Sequence, residues 1–225
     1  MKQILISAIL LCALQLSAQE VRELNLTNFA KIDLGGAFTV ELINSDKNYI
    51  RIEADEDLME DIISEVRGST LKVYVDRKSY NAKKRIYLKI EFEALEEIEI
   101  SGAVDLETKN MITANDFKID FSGAGNANLE LTAESLEVEM SGAGDIDISG
   151  KVDRQDVDIS GVGTYAAYGL ECAETEVDVS GVGSAQVVAT QSIVAQTSGV
   201  GSVRYKGDPK KVKVDSSGIG KVKKG

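Results

Sequence analysis

The chain has no histidine. The commonest general base and the commonest transition-metal ligand are therefore missing together, which narrows the enzymatic chemistry open to it. Cysteine is nearly as scarce. Of the two, Cys12 lies in the leading apolar segment and Cys172 is the only one beyond it, so an intramolecular disulfide and a cysteine metal cluster are both excluded. Positive charge is also short, with 25 basic against 37 acidic residues and a formal charge of -12. An acidic chain with no basic face of any length excludes nucleic acid as an expected partner. No apolar run is long enough to span a bilayer, since Ile4 to Leu14 falls well short of the ~20 residues required.

That leading run reads instead as part of a signal peptide over residues 1–18. Lys2 is the basic start, Ile4 to Leu14 the apolar core, and Leu16-Ser17-Ala18-Gln19 the cleavage region, with the cut near Ala18. Leu11 stands before Cys12 where lipidation needs a small residue, which favours cleavage over a lipid anchor. Residues 19–225 then form one domain with no transmembrane segment, exported to the periplasm, the outer-membrane surface or the exterior.

What the chain has in abundance is a repeat. Ser-Gly, a small apolar residue and then usually Gly recur from Ser101, Ser122, Ser141, Ser160, Ser180, Ser198 and Ser217, in steps of 18 to 21 residues. A period near 19 is too short for a helical repeat and fits one rung of a β-solenoid. Residues three and one before each Ser alternate as strands do, from Ile98 and Ile100 to Val157 and Ile159. Five residues past it the pattern resumes with Leu106, Ala127, Ile146, Tyr165, Ala185, Val203 and Val222. Each rung thus has at least two short strands, with the motif at the corner between them. The structural corners are Gly102, Gly123, Gly142, Gly161, Gly181, Gly199 and Gly218, where stacked backbones must approach closely.

The third motif position grows along the chain, from Ala103 to Ile219, while the residue before the Ser shrinks from Ile100 and Phe121 to Ser216. Opposed gradients of this kind suggest that both positions point into one tube of constant width. Residues 97–225 form the regular part and 19–96 a less regular beginning. There Ile32 to Phe38, with Gly35-Gly36 in the middle, is an earlier copy of the corner. The apolar spacing over Asp57 to Val66 predicts one short helix, with Gly68 as its stop, followed by strands near Leu71–Val75 and Ile86–Ile90. Lys221 to Lys224 place charge on the last rung, where it opposes edge-to-edge aggregation.

The Gly35-Gly36-Ala37-Phe38 opening, ADEDLMEDIISEV followed by STLKVYV, and LEEIEISGAVDLE leading into the repeats resemble the bacterial family of putative auto-transporter adhesins, head GIN domain. The resemblance covers most of the chain after its leader. It implies an all-β, right-handed parallel β-helix on an exported protein similar to surface adhesins, and it supplies no catalytic residues.

The most suggestive repeated feature lies two residues before each Ser: Glu99, Asp120, Glu139, Asp158, Asp178 and Asp215, with Gln196 as the exception. Lying between two inward residues, these face outward, about 4.8 Å apart from rung to rung. Like charges directly opposite one another cost stability. The ladder reads either as a solvated face that blocks aggregation, or as a surface for divalent cations such as Ca2+ or for a basic partner. Calcium-binding nonapeptide repeats are a poor match. The residue after the second Gly is Asn126, Asp145, Thr164, Ser184, Ser202 or Lys221, with a single Asp.

Carboxylate pairs such as Asp145 with Asp147 and Asp156 with Asp158 offer acid/base chemistry, with Lys151 and Arg154 near them. They belong to the repeat, however, whereas a catalytic pair should be an exception to it. Tyr168 and Tyr80 are the aromatic candidates for stacking on a sugar. The expectation is a non-enzymatic adhesion or interaction domain of the cell envelope, without cofactor, recognising an envelope or extracellular protein or glycan. A periplasmic lipid- or glycan-binding protein and a β-helical carbohydrate-active enzyme are the alternatives.

Overall fold

A computed structural model describes residues 19–77 and 85–225; residues 1–18, expected to be a signal peptide, and Tyr80 lie outside the described residues. Alternation of inward apolar and outward residues along the strands produces a solenoid of about seven turns at 19-residue spacing, in one continuous hydrogen-bonded sheet. In Ala124–Met140 the buried set is Ala127, Leu129, Leu131, Ala133, Leu136, Val138 and Met140, with the charged residues between them exposed. Parallel pairing places each inward side chain under its counterpart. Ile32, Ile98, Ile119, Val138, Val157, Val177, Ala195 and Val214 form one such column through the whole stack. Burying a column of this kind is what holds one rung to the next, since each aliphatic side chain contributes about 1.5–3 kcal/mol when fully buried.

The corner glycines are required sterically. A Cβ on Gly123, Gly142 or Gly161 would lie 2.0–2.1 Å from the carbonyl oxygen of the corner Gly one rung earlier. That same oxygen accepts the N–H of the next residue in the stack, as Gly123 O does from Ala143 N at 2.9 Å. The earlier copy belongs to this column, because Gly36 O accepts from Ala103 N at 2.8 Å.

The period of two runs unbroken through the corner, and this overturns one expectation. Side chains before the Ser (Ile100, Phe121, Met140) are buried, but the third motif position points outward. Val162, Val182 and Val200 are 56–59 % exposed and Ile219 is 78 % exposed. The inward position is the second Gly, four residues on from the buried one. Met140 Cε, Ile159 Cγ2 and Val179 Cγ1 fill the space above Gly163, Gly183 and Gly201. The volume lost at each Gly is therefore supplied by the residue before the Ser of the preceding rung.

The N-terminal part departs further from the reading. The helix is only Glu56–Met59. Ile62–Arg67, expected to continue it, is a strand, antiparallel to Thr70–Val75 through a turn at Gly68-Ser69 where Gly68 has φ +62°. The cause is period two within the same residues: Ile62, Ser64 and Val66 pair with Val75, Val73 and Leu71. Gln19–Asn25 and Tyr49–Asp55 add a second antiparallel pair. Chain order and stacking order also differ. Thr70–Val75 and Ile86–Phe92 lie beyond the layer formed by Lys31–Gly35 and Ala37–Asn44, which packs directly on Glu97–Ile100 and Ala103–Thr108.

One polar cluster is sealed in the core. Tyr165 Oη donates to Gln155 Oε1 at 2.9 Å, Gln155 Nε2 to Thr175 Oγ1 at 3.1 Å, and Thr175 Oγ1 to the Val188 carbonyl at 2.8 Å. Burial pushes the Tyr165 phenol well above its usual range, and the Cys172 thiol beside the cluster is raised by burial too.

Candidate functional site

Strand alternation aims every second residue before the corner at solvent, and parallel register converts the sequence ladder into a spatial one. Glu99, Asp120, Glu139, Asp158 and Asp178 stack on consecutive rungs; Gln196 separates Asp178 from Asp215. Two features escaped the sequence reading. Asp33 continues the ladder beyond Glu99 and holds Lys72 Nζ at 2.6 Å. It was legible two residues before Gly35, in the copy already recognised. A second column, four residues before each Ser, runs Lys31, Glu97, Lys118, Glu137, Asp156, Glu176, Val194, Lys213.

Lysines neutralise the N-terminal half of this surface. Lys31 pairs with Glu97 at 2.5 Å, and Lys118 bridges Glu137 at 2.7 Å and Glu139 at 2.8 Å. Among the described residues no cation stands in either column between Lys118 and Lys213. Glu137, Glu139, Asp156, Asp158, Glu176 and Asp178 form a block two columns wide and three rungs deep, beside the column of exposed Ser side chains. A shallow groove of about 500 Å³ is lined by Asp120, Glu137, Glu139, Asp156 and Asp158 with Ser122, Ser141 and Ser160.

The electrostatics follow from this crowding. Partial burial, then Glu176, Glu137 and Asp158, raise the Asp156 pKa above its ordinary value. Burial followed by Glu139 does the same for Asp120, burial followed by Asp158 for Asp178, and burial followed by Asp33 and Asp120 for Glu99. Glu139 is held low by its bond to Lys118, which is itself raised by Glu137 and Glu139. For the raised carboxylates the folded state binds protons more tightly than the unfolded state. Stability is therefore lost as pH rises through their folded pKa values and recovered as pH falls. Melting temperature should increase from pH 7.5 to about pH 5. It should fall again at lower pH, where carboxylates held low by lysine, Glu91, Glu139 and Asp208 among them, become protonated. A thermal melt across this range checks it; a monotonic fall from pH 7.5 would contradict it.

The carboxylates stand side by side rather than converging. Among the described residues no three Asp, Glu or Cys side chains form a group able to hold a metal ion. The two pairs considered for acid/base work are separated by the corner. Asp156 and Asp158 belong to the acidic block, whereas Asp145 lies beyond the corner and accepts the Thr164 N–H at 2.9 Å. Tyr168 is half-buried, with Lys206 Nζ 4.0 Å from its ring centroid, so one ring face is already covered. No helix among the described residues is long and apolar enough to cross a membrane.

Residues 28–209 match the family described as putative auto-transporter adhesin, head GIN domain. A putative adhesin from Bacteroides fragilis is similar at 29% identity and a TM-score of 0.89, over 92% of this chain and 97% of its own. A putative lipid binding protein from Parabacteroides distasonis shares the fold at 24% identity and TM-score 0.72, over 92% and 96%. A putative adhesin from the same species does so at 20% and 0.70, over 93% and 98%. No curated protein matches the chain.

Proposed function

The chain belongs to the family of putative auto-transporter adhesins, head GIN domain, and on that footing we propose a specific role. It is an exported, non-enzymatic interaction domain of the bacterial cell envelope whose acidic face docks a basic partner surface. The observation that carries this reading is the stack Asp156, Asp158, Glu176 and Asp178, which has no cation partner among the described residues and extends the acidic block beyond the Lys118-bridged Glu137 and Glu139. Like charges on adjacent strands oppose folding, and the same face shows with Lys31, Lys72 and Lys118 how they are neutralised on the rungs before these four. A charged surface kept at a cost to stability favours an oppositely charged partner by steering its approach and fixing its register. Acid/base catalysis is the weaker reading, because every carboxylate in the block recurs on neighbouring rungs and none is singled out by its surroundings.

Crosslinking in the native envelope tests the reading. A photo-crosslinker at Asp158 should capture a discrete partner, and added poly-lysine should compete that capture away. The same group at Asn128, exposed on the face beyond the corner, should capture nothing comparable. Equal capture from both positions, or capture indifferent to poly-lysine, would refute it.

A further inference from the structure

A second surface lies on the other side of the corner, and its chemistry is opposite. In the last four rungs the segments after the corner, 162–170, 182–191, 200–207 and 219–225, contain no aspartate or glutamate. Eight of the 25 basic residues but only two of the 37 acidic ones fall in residues 204–225, which corrects the expectation that the chain has no basic face. Arg204 and Lys223 stack in register and Lys221 follows Ser202 in the adjoining column, all three exposed. Lys206 lies over the Tyr168 ring. Among the described residues none of these four cations has a carboxylate partner, while Lys224 pairs with Asp208. Along the edge of this face runs the outward motif position. Val162, Val182, Val200 and Ile219 are each more than half exposed. They are aligned by backbone bonds from Val182 N to Gly161 O, Val200 N to Gly181 O and Ile219 N to Gly199 O.

We infer that this aliphatic rib and the cations beside it form a docking surface for an anionic lipid membrane, separate from the acidic face. The rib protrudes at a corner and carries no polar group, so it suits shallow insertion among acyl chains while the flanking Arg and Lys meet lipid phosphates. Neither signal suffices alone; an apolar contact and a basic patch together give stable membrane attachment. A soluble polyanion would engage the cations and leave the rib uncovered. A second copy fits less well. Four side chains expose a few hundred Å² at most, against ~800 Å² per partner in a stable complex. The oppositely charged block from Glu137 to Asp178 also presents no exposed large apolar residue to cover the rib.

Co-sedimentation of the full chain with vesicles tests this. Binding is expected to vesicles containing phosphatidylglycerol, not to phosphatidylcholine alone, and should be reversed by high salt. Each cation near an anionic surface is worth about fivefold in affinity, so R204E/K221E/K223E should weaken binding at least a hundredfold by that measure. V182S/V200S should weaken it about tenfold through loss of the inserted side chains. All five positions face outward, so melting should be unchanged. The chain has no tryptophan, so a V200W variant supplies an independent reading: its emission should shift to the blue with anionic vesicles. Absence of both sedimentation and shift would overturn the inference. Undiminished binding by V182S/V200S would overturn it in favour of a polyanion site. Self-association without vesicles, abolished by the same changes, would overturn it in favour of a second copy. None of these outcomes touches the acidic face, whose fate depends on its own crosslinking result.

Discussion

Replacing Gly142 by alanine is expected to destabilise the fold by about 3 kcal/mol, lowering the melting temperature by roughly 10 °C. The new methyl would lie 2.0 Å from the Gly123 carbonyl oxygen and 2.8 Å from the Ser122 carbonyl carbon, both backbone atoms that cannot rotate away. Gly142 cannot retreat either, because its own carbonyl accepts the Val162 N–H of the next rung at 3.0 Å. Any shift therefore passes to rungs on both sides. Ala143, the adjoining residue, gives the matched control. It faces solvent, so Ala143→Ser should change stability by no more than about 0.5 kcal/mol. Thermal melts of the two variants decide the matter. Equal effects would mean that the parity of the corner has been misassigned.

The acidic block supports the second large effect. The variant D156N/D158N/E176Q/D178N removes four carboxylates that have no cation partner among the described residues and keeps the shape of each side chain. Poly-lysine binding by the wild-type chain should be salt-sensitive, and the variant should bind at least about tenfold more weakly at low salt. Titration by calorimetry reads this directly. Unchanged affinity would place the cationic partner elsewhere on the surface. Neutralising Asp145 and Asp147, on the face beyond the corner, should leave the affinity unchanged.

Much of this architecture can be read from residues, for a definite reason. Parallel stacking repeats the same local environment at every rung, so the strands, the corner glycines and the ladder from Glu99 to Asp178 follow from period two and period 19 together. The motif's third position was misread because volume alone cannot distinguish inside from outside. Only the unbroken alternation through Ser-Gly-x-Gly places Val182 outside and Gly183 within. Ile62 to Val66 was ambiguous because Leu58, Ile62, Ile63 and Val66 satisfy a helical stripe while Ile62, Ser64 and Val66 satisfy a strand. The antiparallel partner Thr70–Val75 decided between them. The second acidic column was hidden by Lys31 and Lys118, which interrupt its sign. The stacking order of the N-terminal layers is set by long-range pairing between residues 31–44 and 97–108, which no local pattern encodes.

The claim at the centre of this account is that the acidic block is held against its own repulsion. Melting of wild-type chain and the D156N/D158N/E176Q/D178N variant, at low and at high salt and neutral pH, measures that repulsion. Relief of like-charge contacts across adjacent strands should make the variant melt about 3 °C or more above wild type at low salt. Screening should bring the two together at high salt. A variant that melts at or below the wild-type temperature at low salt would show that the carboxylates stabilise the fold, and would contradict the claim.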